Sequence, residues 1–86
     1  TDETISIYPN PTEEALNVSF ELASAMDLHF RVIDITGKTI SRSAATRFDQ
    51  GTALYTVDVA SLAAGMFLIT IENDQTILGR RVFVKK

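Results

Sequence analysis

The 86-residue chain has no cysteine and no tryptophan, a single histidine, and two prolines, Pro9 and Pro11, set close together. Without cysteine there is no disulfide, no thiolate nucleophile and no cysteine-based zinc site. The redox compartment stays open, because a cysteine-free chain suits the cytoplasm and the cell surface alike. No apolar run approaches the roughly 20 residues that a membrane helix needs, so no membrane insertion is expected. No signal peptide is recognisable either. The first residue is Thr1, and methionine occurs only at Met26 and Met66. The expectation is a piece cut from a longer polypeptide, with any targeting peptide on the preceding part. No internal repeat, low-complexity stretch or linker interrupts the sequence, which reads as one domain over residues 1–86. A chain of this size buries only about 60–70 per cent of its unfolded surface, leaving little room for a deep catalytic cleft.

The net charge of −3 argues against nucleic acid as a partner, since phosphate binding is driven by clustered Lys and Arg. The charges are also unevenly placed. Residues 1–30 hold six acids and no Lys or Arg, whereas the last seven residues hold four bases and no acid. The chain therefore ends in a small basic tag.

What is present in abundance is period-two alternation. In Leu16-Asn17-Val18-Ser19-Phe20-Glu21-Leu22 apolar and polar residues alternate without an error, which places Leu16, Val18, Phe20 and Leu22 on one face of a strand. Leu28, Phe30 and Val32 repeat the pattern with His29 and Arg31 opposite. Ile33 and Ile35 then make that strand apolar on both faces, which predicts a central or covered position. Further strands are expected at Ile5–Tyr8, Thr39–Ser43, Leu54–Val59, Phe67–Glu72 and Ile77–Val84. Turn chemistry separates them at Pro9-Asn10-Pro11, Thr36-Gly37, Gln50-Gly51, Gly65 and Asn73-Asp74. Gly37 suits a left-handed position in a hairpin between Asp34 and Lys38. Only Ser61–Ala64 offers a helical turn. About seven short strands and no helix predict an all-β, immunoglobulin-like sandwich of antiparallel strands. Its core is expected to include Phe20, Phe30, Val57, Phe67, Ile69 and Ile71.

The sequence offers little for a chemical site. His29 stands alone on the polar face of its strand, with no cysteine or second histidine to complete a metal set, and is read as solvent-facing. No serine lies in a nucleophile elbow, so a hydrolase triad has no support. Glu13 and Glu14 are adjacent and point apart on an extended chain. Asn73-Asp74 lacks the ligand spacing of a calcium loop. Asn17-Val18-Ser19 matches the glycosylation sequon, but in the middle of a strand. No catalytic residue, metal or cofactor is expected, and the chain is not read as an enzyme.

Short motifs carry more information. Tyr8-Pro9-Asn10-Pro11 ends a strand in a rigid turn, because proline fixes φ and lacks an N–H. Asp34-Ile35-Thr36-Gly37 forms a hairpin, Leu62-x-x-Gly65-x-Phe67 opens a buried strand, and Val82-Phe83-Val84-Lys85-Lys86 closes the chain. Each has a plain structural meaning; the last reads as an edge strand whose charges discourage sheet-to-sheet association.

In this order, from Ile5 to Lys86, the motifs resemble the type A C-terminal sorting domain of type IX secretion cargo in Bacteroidota. Phe67 stands where that family usually has tyrosine. The resemblance implies a domain at the C-terminus of a larger secreted protein, often a protease, glycosidase or adhesin. It also implies passage through the periplasm and the outer-membrane translocon, then delivery to the cell surface or medium. A shuttle protein and a sortase-like peptidase would be further partners, the latter removing the domain and attaching the cargo to lipopolysaccharide.

On this reading Val82, Val84, Lys85 and Lys86 carry recognition, through strand addition and charge. Tyr8, Pro9, Asn10, Pro11, Asp34, Gly37, Leu62, Gly65 and Phe67 are mainly structural. Weak self-association through an edge strand is a further expectation. The rival reading is a fibronectin-like or carbohydrate-binding accessory module. Against it, the chain has no tryptophan and only two tyrosines to serve as sugar platforms, Tyr8 at the turn and Tyr55, which is expected to point inward.

Overall fold

The computed structural model describes residues 4–86. Its strands are β1 (Ser6–Tyr8), β2 (Ala15–Leu22), β3 (Met26–Asp34), β4 (Thr39–Arg42), β5 (Thr46–Phe48), β6 (Gly51–Asp58), β7 (Gly65–Glu72) and β8 (Ile77–Lys85). They form two antiparallel sheets, one in the order β1-β2-β6 and the other in the order β4-β3-β7-β8, with β5 also pairing with β3. The architecture is the expected all-β sandwich.

Alternation explains the core. Leu16, Val18, Phe20 and Leu22 of β2 are buried, as are Leu28, Phe30 and Val32 of β3, Ile69 and Ile71 of β7, and Phe83 of β8. These inward rows face each other between the sheets, as the alternation of side chains along β2, β3, β7 and β8 requires. Phe20, Phe30, Phe48 and Tyr55 pack as a ring cluster in which Phe30 and Tyr55 stack at 4.1 Å between centroids. A separate pair, Phe67 and Phe83, stacks at 5.7 Å.

Several expectations are corrected. The short strand β5 is additional to the expected strands; its three residues show no alternation and pair only with Met26–Leu28. Val57 and Phe67 are half-buried, not fully buried, while Leu16, Val18, Leu28, Val32, Val59 and Phe83 are almost fully enclosed. β3 is central as expected, but it ends at Asp34. Ile35 therefore lies in the turn, 83% exposed. Residues 61–64 form no helix; a bond from the Leu62 amide to the Val59 carbonyl (3.1 Å) closes a turn there instead. Among the described residues no helix is long and apolar enough to cross a membrane.

Candidate functional site: a convergence of motifs at one end of the sandwich

The four motifs, spread over the length of the sequence, meet at one end of the fold. The antiparallel register does this. Phe67 of β7 lies opposite Asp34 of β3 on one side and Phe83 of β8 on the other. Gly65, at the start of β7, lies opposite Lys85.

The hairpin after β3 is built by Asp34. Its Oδ1 accepts hydrogen bonds from the Thr36 amide (2.9 Å), the Thr36 hydroxyl (2.6 Å) and the Lys38 amide (3.0 Å). The Thr36 hydroxyl contributes most to holding the carboxyl below the usual aspartate range; burial opposes it, and the amides of Lys38 and Thr36 and the Lys38 charge tip the balance further downward. Gly37 takes φ +92°, the left-handed region that glycine enters without a Cβ penalty, and its amide returns to the Asp34 carbonyl at 3.0 Å. This tight hairpin is as the sequence predicts.

Tyr8-Pro9-Asn10-Pro11 does more than end β1. Both X-Pro bonds, Tyr8-Pro9 and Asn10-Pro11, are cis. The turn lays the following residues along the outer edge of β8. The Val84 amide donates to Asn10 Oδ1 at 2.9 Å, and Asn10 Nδ2 donates to the Val82 carbonyl at 3.4 Å. The Thr12 amide donates to the Val84 carbonyl, and the Lys86 amide donates to the Thr12 carbonyl, each at 2.9 Å. Thr12, 1% exposed, forms a parallel bridge with Lys85, and its hydroxyl donates to the Ala15 carbonyl. Edge groups from Val82 to Lys86 that were expected to be open for strand addition are thus engaged within the chain.

The terminal residues divide by parity. Val82 and Val84 project outward, 52% and 37% exposed, whereas Lys85 lies on the inner side with Phe83 and is 8% exposed. Lys85 Nζ donates to the Lys86 carbonyl at 3.2 Å. Lys86 itself is exposed, with Glu13 Oε1 3.8 Å from its Nζ. The basic tag therefore presents Lys86 to solvent and holds Lys85 back. Leu62 packs against the core as a half-buried residue.

One cluster escaped the sequence reading. His29, expected to face solvent, is 5% exposed. Its Nε2 lies 3.0 Å from Glu72 Oε1 and 3.1 Å from Arg42 Nη2, donating to the first or accepting from the second according to tautomer. Glu72 Oε2 also accepts from Arg31 Nη2 (2.7 Å), Arg31 Nε (3.0 Å) and the Thr70 hydroxyl (2.8 Å). Burial works to raise the Glu72 pKa, but the bonds from Thr70, Arg31 and His29, with the Arg31 charge, outweigh it and hold the carboxyl below its ordinary range. The alternation already puts His29 and Arg31 on one face; that Glu72 and Thr70 lie across from them is decided by the register. Every buried side-chain polar atom among the described residues has a partner, so the cluster is a satisfied structural network.

Among the described residues no group of three or more His, Cys, Asp or Glu side chains is arranged to hold a metal ion. Tyr55 is stacked on Phe30, and Tyr8, 48% exposed, is the remaining tyrosine. No curated protein matches the chain. The family described as secretion system C-terminal sorting domain matches residues 6–85, from β1 to the end of β8. The chain is thus an export signal that engages the type IX secretion machinery and directs transport across the outer membrane, and it belongs to the type IX C-terminal sorting domain family.

Proposed function

We propose that this domain is the removable C-terminal address of a larger secreted protein. In this reading the cargo crosses the periplasm with the domain folded, and a shuttle protein and the outer-membrane translocon engage the end of the sandwich where the motifs meet. A sortase-like peptidase then detaches the domain and joins the cargo to surface lipopolysaccharide. Val82, Val84 and Lys86 are the terminal residues offered to a partner, while Lys85 supports the strand from inside. Asn10, Asp34, Gly37, Gly65 and Phe67 hold the strand ends in place.

The observation that carries this reading is the closing of β8 by the Asn10–Thr12 segment. A signal that travels with an arbitrary cargo needs a terminus that stays folded and does not pair with other chains. Engaged edge groups meet that need, because unpaired strand edges are templates for association.

The detachment step is tested by mass spectrometry of a reporter joined to the N-terminal side of this chain and recovered from the surface of a type IX-competent cell. The expected product has lost the domain and gained the heterogeneous mass of lipopolysaccharide. A surface reporter still carrying residues through Lys86 would overturn the cleavage and attachment steps.

A further inference from the structure

The outer face of the five-stranded sheet has two halves. One holds the polar network around Glu72. The other, at the end where the motifs meet, is apolar. Ile33, Leu68 and Val82 lie opposite one another across β3, β7 and β8, and Met66 lies opposite Val84 at the next pair on the same face. Ile35 in the hairpin joins Ile33, Met66, Leu68 and Val82 around an open cleft of about 360 Å³. Ile35 is 83%, Met66 55% and Val82 52% exposed. Large apolar side chains scattered over a surface need no explanation, but a contiguous group of them marks a contact surface. The fold does not require these residues, since the opposite side of the same strands supplies the core through Ile69 and Phe83.

Charge and size indicate what covers the patch. Its margin carries Lys38 beside Gly37, Arg80 two residues before Val82, and Lys86 two residues after Val84, all exposed. Of the acids nearby, Asp34 lines the cleft but turns its carboxylate to the amides of its own hairpin, Glu72 is paired with Arg31, and Glu13 and Glu14 are exposed beside Lys86. Glu13 offers Lys86 only an exposed contact at 3.8 Å, which leaves that charge largely free. The rim is therefore cationic at Lys38 and Arg80. The apolar group is also far smaller than the roughly 20–30 residues a side of a stable protein interface. It suits a brief contact with a receptor better than a permanent dimer of this chain.

We infer that this patch docks an apolar segment flanked by acidic residues, supplied by the type IX machinery. The inference rests on the reading of the chain as a sorting signal and names the surface that is read. Docking excludes water from Ile35, Met66 and Val82 while the acidic flanks meet Lys38 and Arg80.

The test is release of a reporter fused ahead of the chain, behind a signal peptide, from a type IX-competent strain. The triple variant Ile35→Ser, Met66→Ser, Val82→Thr is expected to lower release roughly tenfold, as loss of the apolar centre of a small interface does. The charge-reversed pair Lys38→Glu, Arg80→Glu is expected to lower it as well. Leu54→Ser, which alters a side chain 56% exposed on the other sheet, is expected to leave release unchanged. Thermal unfolding of each purified variant checks the fold, and the single changes Met66→Ser and Val82→Thr serve if the triple variant melts. Normal release of the folded patch variants beside a released parent would overturn the patch and leave the sorting function standing. Failure of the parent itself to leave would overturn both. Equal loss in Leu54→Ser, normal release of the charge-reversed pair, or a dimer that the patch changes dissociate without altering release would each overturn the inference.

Discussion

Asn10 accepts the backbone amide of Val84 at 2.9 Å across 74 positions of sequence, joining the first motif of the chain to the last. The same side chain donates to the Val82 carbonyl at 3.4 Å. Asn10 thus stands in for a neighbouring strand at the edge of the sheet. Asn10→Ala is expected to cost about 1 kcal/mol, the net worth of partly exposed hydrogen bonds, in urea unfolding. It should also speed hydrogen exchange at Val84 selectively. Asn10→Asp keeps the acceptor for Val84 and should recover part of the loss; exchange at Val84 equal to the parent in Asn10→Ala would show that the contact does not hold the edge.

Phe83 is fully enclosed and stacks on Phe67 at 5.7 Å. Phe83→Ala should destabilise the domain by about 3–5 kcal/mol, the usual cost of emptying an aromatic core site. Such a loss is a large share of the stability of a small domain. Removing residues 82–86 takes Phe83 with it, so that truncation tests folding as much as recognition. Changes at the exposed Val82 are the cleaner probe. A Phe83→Ala protein that unfolds at the parent's urea midpoint would contradict the packing described.

Gly65 opens β7 at φ +151°, and a Cβ built there meets no atom within 4 Å. Any penalty for a side chain at this position is therefore conformational and not steric. Gly65→Ala is expected to lower stability by about 1–2 kcal/mol, seen as a fall in Tm, because alanine disfavours positive φ. An unchanged Tm would mean that the strand start adjusts without cost.

Glu72 makes stability depend on pH. Its folded carboxyl titrates below the ordinary range, so near that range the unfolded state binds more protons than the folded state, and stability rises with pH. The contribution is complete above the unfolded glutamate value of about 4.3 and is lost as pH falls through the lower folded value. Arg31, His29 and Thr70 face the carboxyl directly, and Arg42 reaches it through His29. Urea unfolding between neutral pH and strong acid should show a drop below about pH 4 that Glu72→Gln flattens. Asp34→Asn should flatten it less, because Asp34 lies near the surface, where its hairpin bonds compete with water. An identical acid slope in Glu72→Gln would contradict the network.

Local chemistry was legible where local physics decides the outcome. The alternation from Leu16 to Leu22 names its buried face correctly, and Asp34 with Gly37 specifies its hairpin without help from the rest of the chain. The motifs also identify the family over nearly the whole sequence. What was not legible depends on which strands lie side by side. His29 follows the alternation onto the outer face, yet that face is not open there, because Glu72 and Arg42 close on the ring. Lys85 was read by its charge, although parity with Phe83 puts it inward. The Asn10–Val84 bond joins opposite ends of the chain and leaves no local periodic signal. β5 is too short to show a period at all.

The most direct test of the sorting function is the location of a fluorescent reporter fused to residues 1–86 behind a signal peptide, compared between a type IX-competent strain and its translocon-null twin. Release from the first with periplasmic trapping in the second is the expected result. Retention of the folded fusion in both strains would contradict it.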